Sequence, residues 1–147
     1  AYADRLEGLG EAEPKAAESC TTHLTVCDRD GMMVSMTTTL LSSMGSRLVL
    51  PRSGVLMNNG VMWFDPRPGT PNAIAPGKRP LTNMSPVIVA KDGVPEIALG
   101  ASGGRRIMAS VFQMMAFTAD FGMAAEDAAH HPRIDVSGVG PIRVNRD

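Results

Sequence analysis

Hydrophobic residues recur along this chain with two different periods, and the change of period predicts its elements. From Thr22 to Asp28 apolar and polar positions alternate, with Leu24 and Val26 on one face, and Met32 to Leu40 is rich in Val, Thr and Met. Between these runs stands Asp28-Arg29-Asp30-Gly31, whose Asp-Gly step supplies the positive φ that a tight hairpin requires. A second hairpin is predicted from Ser85 to Lys91 and Pro95 to Leu99, around Asp92-Gly93. Ile107, Met108, Val111, Met114, Met115 and Thr118 then fall at helical spacing within Arg105 to Phe121, and Gly122 stops that helix. A shorter helix is expected over Ala124 to Ala129, ended by His130-His131-Pro132, with short strands at Arg133 to Val136 and Ile142 to Val144. Two hairpins, two helices and closing strands read as an α+β fold with antiparallel sheets.

The remaining stretches carry no clear period. Residues 1 to 19 hold Glu7, Glu11, Glu13, Glu18, two glycines and Pro14, and read as an exposed linker with a short helical piece. Residues 42 to 83 are punctuated by Ser42-Ser43, Gly45-Ser46, Pro51, Asn58-Asn59-Gly60 and Asp65-Pro66-Arg67-Pro68-Gly69, too often for regular elements. An irregular stretch of that length in a compact domain usually carries function.

Composition narrows the classes. With 147 residues, 44% hydrophobic and 20% charged, the chain suits one soluble globular domain or part of one. A formal net charge of -1 gives no electrostatic basis for binding nucleic acid or a membrane surface. Apolar runs such as Val87-Ile88-Val89-Ala90 are too short to span a bilayer. No charged-then-apolar leader opens the chain, and its start at Ala1 without an initiator Met reads as a piece of something longer. Cys20 and Cys27 do not make a disulfide framework, and the three histidines show no zinc-type spacing, so neither metal nor cofactor is expected. The eleven methionines read as a core filled by flexible thioethers.

The chemistry centres on Ser19-Cys20-Thr21-Thr22-His23, between the polar leader and the first strand. A threonine inside a chain is a poor nucleophile. Once the preceding bond is cut, its freed α-amino group, of pKa about 8, sits beside the hydroxyl as a base. The first hairpin returns Thr37-Thr38-Thr39 towards Thr21. Gly103-Gly104 opens the long helix, where backbone amides without side-chain obstruction offer donors to an oxyanion; a plain strand-to-helix turn is the other reading.

Thr21-Thr22-His23, Thr37-Thr38-Thr39-Leu40, Ser53-Gly54-Val55-Leu56-Met57-Asn58-Asn59, Pro76-Gly77-Lys78-Arg79-Pro80-Leu81, Met84-Ser85-Pro86 and Gly103-Gly104 occur in this order. Together they resemble the small subunit of the gamma-glutamyltranspeptidase family, whose members act on glutathione-like γ-glutamyl amides. The resemblance implies the αββα sandwich of the N-terminal-nucleophile hydrolases, incomplete in this chain, and an inactive precursor that cuts itself between Cys20 and Thr21. Residues 1–20 would then be the tail of a large subunit, the partner that completes the sheet, and residues 21–147 the catalytic region, short of the usual C-terminal strands. By the same resemblance Thr21 is the nucleophile, Thr39 the second hydroxyl that orients it, and Gly103 and Gly104 the oxyanion hole. Thr82 and Asn83 stand where the family has two adjacent serines that hold the substrate carboxylate; a polar loop anchored by its own backbone is the plainer reading.

The departures fall on one function. Typical members grip the substrate ammonium with an Asn, a Gln or Glu, and an Asp; here those positions are Leu41, Gly60 and Trp63. None accepts a hydrogen bond from an ammonium through its side chain, apart from weak attraction to the indole face. Asp65 is two residues on, as a substitute ligand or as a turn residue. The altered pocket also resembles the branch of the family that includes cephalosporin acylases, and a non-catalytic relative used as a structural or binding domain is the reading from another class. His23 is read as a strand residue supporting the site, or as a base. Lys78 and Arg79 fix the loop of Thr82 or form a solvated charge pair.

Overall fold

The computed structural model describes residues 20–138 and 140–144, so the linker expected over residues 1–19 lies outside the described residues. The chain divides into two compact units. The first contains Thr21–Thr39 and the described residues from Asn83 onward; the second contains Leu40–Thr82 with Cys20.

In the first unit, β1 (Thr21–Cys27) pairs antiparallel with β2 (Met33–Thr39), with Thr21 opposite Thr39 and His23 opposite Thr37. The turn is built by Asp28, whose Oδ1 accepts from the N–H groups of Asp30 and Met32, both at 2.9 Å, while Gly31 takes φ 85°. β1 begins one residue earlier than the alternation predicts, so Thr21 lies in the ladder. β3 (Val87–Lys91) pairs antiparallel with β4 (Val94–Leu99) through Asp92 and Gly93, at φ 52° and 82°. Positive φ at both central positions is what the right-handed twist of a two-residue hairpin demands. The expected start at Ser85 moves to Val87, because Pro86 has no N–H to give to a ladder.

Gly104–Arg106 form a single 3-10 turn that leads into α1 (Ile107–Ala119). The helix ends where Gly122 takes φ 66° and Met123 N–H reaches back to the Phe117 carbonyl at 2.9 Å. α2 (Ala125–His130) follows, and β5 (Ile134–Asp135) pairs with β6 (Arg143–Val144). α1 packs against α2 and β5, and Ile107, Val111 and Ala128 are the buried hydrophobic residues among the described residues. Gln113 fastens α1 to β5 by exchanging two hydrogen bonds with the backbone of Ile134, both at 2.8 Å. The ring of His131 meets Phe117 edge-on at 4.7 Å, so His131 has a packing role at the end of α2.

The second unit is irregular, as its punctuation predicts, apart from a 3-10 helix at Gly60–Trp63 and two isolated bridges, Val49 with Leu56 and Asp65 with Ala73. Side chains bonded to backbone replace ladders here. Asn72 Nδ2 donates to the Trp63 carbonyl at 2.7 Å, and its Oδ1 accepts from Leu81 N–H at 3.0 Å. Lys78 Nζ donates to the carbonyls of Pro71 and Ala73, each at 3.2 Å, so of the two readings of Lys78 the loop-fixing one describes it.

Candidate active site

The register of the first hairpin creates the hydroxyl pair. Thr21 and Thr39 face each other across the ladder, and their Oγ1 atoms are 2.9 Å apart in a part-buried position. Successive strand residues point to opposite sides, so Thr21 shares its face with His23 and Thr25, and Thr39 shares it with Thr37 and Ser35. The His23 ring is held from both sides, Nδ1 at 2.9 Å from Thr37 Oγ1 and Nε2 at 3.1 Å from Thr25 Oγ1. Both ring nitrogens are thereby committed to hydroxyls, which supports a supporting role over that of a free base. If Thr39 donates to Thr21, the proton of the Thr21 hydroxyl is left available to a base.

Gly103 and Gly104 adopt φ 139° and 61°, and a Cβ at either would meet open space. Conformation, not crowding, requires glycine at both. Among the described residues no backbone carbonyl accepts from the N–H of Gly103 or Gly104. The Gly104 carbonyl receives two donors, the N–H of Ile107 and Nδ2 of Asn83. Asn83, expected among the carboxylate ligands, thus gives its amide to the glycine segment; its Oδ1 is buried without a partner among the described residues. Turning that amide over would set oxygen against oxygen, so the Gly104 carbonyl fixes its orientation. Beyond the glycines, Arg106 Nε lies 3.0 Å from Asp135 Oδ2. Hydrogen bonds from the Ser137 side chain and backbone, with Arg106 adding to them, hold the Asp135 carboxyl below the usual range.

The positions matching the ammonium ligands lie in the second unit. Asn59 braces them: its N–H donates to the Leu40 carbonyl at 3.2 Å, and its side chain bonds Ser42 N and Oγ at 3.0 and 2.7 Å. Leu41, between Leu40 and Ser42, takes φ 72°, which an Asn tolerates better than a Leu. The Trp63 indole lies over Gly60, where a Cβ would sit 3.1 Å from the ring. Asp65, the candidate substitute ligand, is engaged by Arg67: its two oxygens take Arg67 Nε and Nη2 at 3.1 and 3.0 Å, and Arg67 N–H at 2.9 Å. That pairing pushes its carboxyl far below the ordinary range. Thr82 belongs to this second unit and Asn83 to the first.

Two contacts escaped the sequence reading, Asn83 with Gly104 and His23 with Gly100. In the second, Gly100 follows β4 without a positive φ, so the close approach of the His23 ring is what requires its missing side chain.

A sequence model described as Gamma-glutamyltranspeptidase matches residues 3–144. A glutathione hydrolase proenzyme of Bacillus subtilis subsp. natto is 39% identical over 132 residues, covering 89% of this chain and 22% of the relative. Acylase ACY 1 proenzyme from a Pseudomonas species is 37% identical, covering 94% of this chain and 26% of the relative. Among solved structures, a gamma-glutamyltranspeptidase from Pseudomonas nitroreducens complexed with L-DON superposes with a TM-score of 0.67 at 39% identity, covering 78% of this chain and 64% of that one. The chain belongs to the gamma-glutamyltranspeptidase family. It spans about a quarter or less of the length of the curated relatives it matches.

Proposed function

We propose that the protein is the catalytic region of a self-cleaving amidohydrolase and acyltransferase of this family, with Thr21 as its nucleophile. The carrying observation is the Thr21–Thr39 hydroxyl pair at 2.9 Å, directly after the Cys20–Thr21 bond. While that bond is intact the nitrogen of Thr21 is an amide and cannot act as a base. Cleavage frees it. The Thr21 hydroxyl then gives its proton to the α-amino group, and its oxygen attacks the amide carbonyl carbon of the substrate. Negative charge gathers on the carbonyl oxygen, where the Gly103 and Gly104 amides receive it. Collapse expels the amine, which takes up the proton, and leaves an ester on Thr21. Water, or an acceptor amine, resolves that ester.

Residues 1–20 are in this reading the tail of the large subunit, and the large subunit completes an αββα sandwich with residues 21–147. The exposed apolar side chains of β1 and β2, Leu24, Val26, Val34 and Met36, support a partner on that face. Mass spectrometry of the full-length precursor tests the proposal. Two chains with Thr21 at the new N-terminus are expected from the native protein, one uncut chain from Thr21→Ala, and slow cutting from Thr21→Ser. A Thr21→Ala protein that still separates would refute it, and so would a native precursor that never cuts, the outcome a non-catalytic relative would give.

A second reading concerns the substrate. Leu41, Gly60 and Trp63 offer no acceptor for an ammonium, and Asp65 is occupied by Arg67. These observations favour an acyl group without an α-amino group, as in the acylase-like branch, over a γ-glutamyl group.

A further inference from the structure

The His23 imidazole lies directly on the backbone of Gly100. A Cβ at Gly100 would lie 2.6 Å from the ring atom Nε2 and closer still to Nδ1 and Cε1, far inside van der Waals contact. Gly100 is not in a conformation reserved for glycine, so this contact alone explains the missing side chain. The ring cannot turn aside without giving up its bonds to Thr37 and Thr25. Two rungs further along, on the same face, Ser35 Oγ donates to the Leu99 carbonyl at 2.9 Å. The face that carries Thr21 is therefore joined to the end of β4 at two neighbouring residues, Leu99 and Gly100. From Gly100 the chain reaches Gly103 in three residues.

We infer that His23 is a positioning residue: its ring, seated on Gly100 and locked by Thr37 and Thr25, fixes the spacing between the Thr21 strand and the Gly103-Gly104 segment. This inference rests on the proposed threonine chemistry. Nucleophile and oxyanion donors sit on separate elements, and a displacement of about 1 Å between such groups costs on the order of a hundredfold in rate. His23 touches no reacting atom in this arrangement. Its effect passes through the distance that the ring sets.

The test is a double-mutant cycle on the full-length precursor and its mature form, with His23→Ala, Gly100→Ala and the pair together. Gly100→Ala alone is expected to lower kcat by tenfold or more and to lower Tm, because the methyl group and the ring cannot share one space. His23→Ala is expected to lower kcat about tenfold with KM within twofold, and His23→Gln, which keeps one hydrogen-bonding arm, to recover part of that loss. In the His23→Ala background the added methyl meets no ring, so Gly100→Ala should cost less than threefold in kcat and little in Tm. Equal costs of Gly100→Ala in both backgrounds would overturn the contact. A His23→Ala enzyme with native kcat would overturn the positioning role. If Gly100→Ala fails to fold while the pair folds, the contact stands and His23→Ala decides the role. Absence of Thr21-dependent turnover in the native protein refutes the threonine chemistry instead, and the Tm cycle still reads the contact independently.

Discussion

The choice of acyl group turns on what a buried ammonium would find. An α-amino group held at the positions of Leu41, Gly60 and Trp63 would meet an alkyl chain, a bare backbone and an indole. Asp65 is a weakened rescue, because an ammonium would have to compete with Arg67, which holds it in a two-point contact at 3.0 and 3.1 Å. Removing the partner of a fully buried charge costs about 3–5 kcal/mol. Leu41, Gly60 and Trp63 are half-buried in this chain, which favours the lower end, roughly 3 kcal/mol or about a hundredfold in affinity. The assay compares kcat/KM for a glutaryl anilide and its γ-glutamyl analogue on the mature enzyme, two donors that differ only in the amino group. The glutaryl compound is expected to be preferred. Trp63→Asp should shift the ratio towards the γ-glutamyl donor, since it adds an acceptor and clears the space above Gly60. Gly60→Gln alone should shift it less, because its Cβ is crowded by the Trp63 ring. A native enzyme that prefers the γ-glutamyl donor tenfold or more would refute the reasoning.

Three further outcomes follow from the geometry. Thr39→Val removes one half of the Thr21 hydroxyl pair with little change of shape; a bond worth about 1 kcal/mol predicts roughly a fivefold fall in kcat, and Thr39→Ser should stay within about threefold of native. Asn83→Asp sets a carboxylate against the Gly104 carbonyl, so its Tm at pH 7 should fall below that of Asn83→Ala. That gap should narrow on acidification, as the protonated carboxyl becomes a donor, and a constant gap would count against the orientation of Asn83. Asp135 has a lowered carboxyl pKa in the folded state, so its contribution is present above the ordinary value of 3.8 and is lost as pH falls below it. Asp135→Asn should therefore lower Tm at pH 7 and flatten the acid limb of the Tm profile; an acid limb as steep as the native one would refute this.

How far the sequence could be read depended on the range of the interaction. Asp28 to Gly31 and Asp92-Gly93 each place their turn chemistry within a few residues, so both hairpins and the approach of Thr39 to Thr21 were legible. The spacing from Ile107 to Thr118 likewise marks a helix, although the 3-10 turn at Gly104–Arg106 shortens it at the start. Asn83 with Gly104 and His23 with Gly100 were not legible as contacts. Each joins a side chain to backbone across many residues, and neither leaves a period in the sequence. Asp65 lay between: its turn position was visible, but its bonds to Arg67 were not.

The first hairpin carries a conflict that its two-residue period cannot avoid. One face holds Thr21, His23, Thr25, Ser35, Thr37 and Thr39, groups that give the site its hydrogen bonds but bury little apolar area. The stabilising burial must come from the other face, where Leu24 stands opposite Met36 and Val26 opposite Val34. Those four side chains are 37%, 46%, 53% and 46% exposed, in the order Leu24, Met36, Val26, Val34. Each loses about 25 cal/mol per Å² of apolar surface that stays in water. A strand that commits one face to chemistry thus needs cover on its opposite face. Within the proposed function that cover is the large subunit, and the site then depends on its partner through the back of the strand that carries the nucleophile.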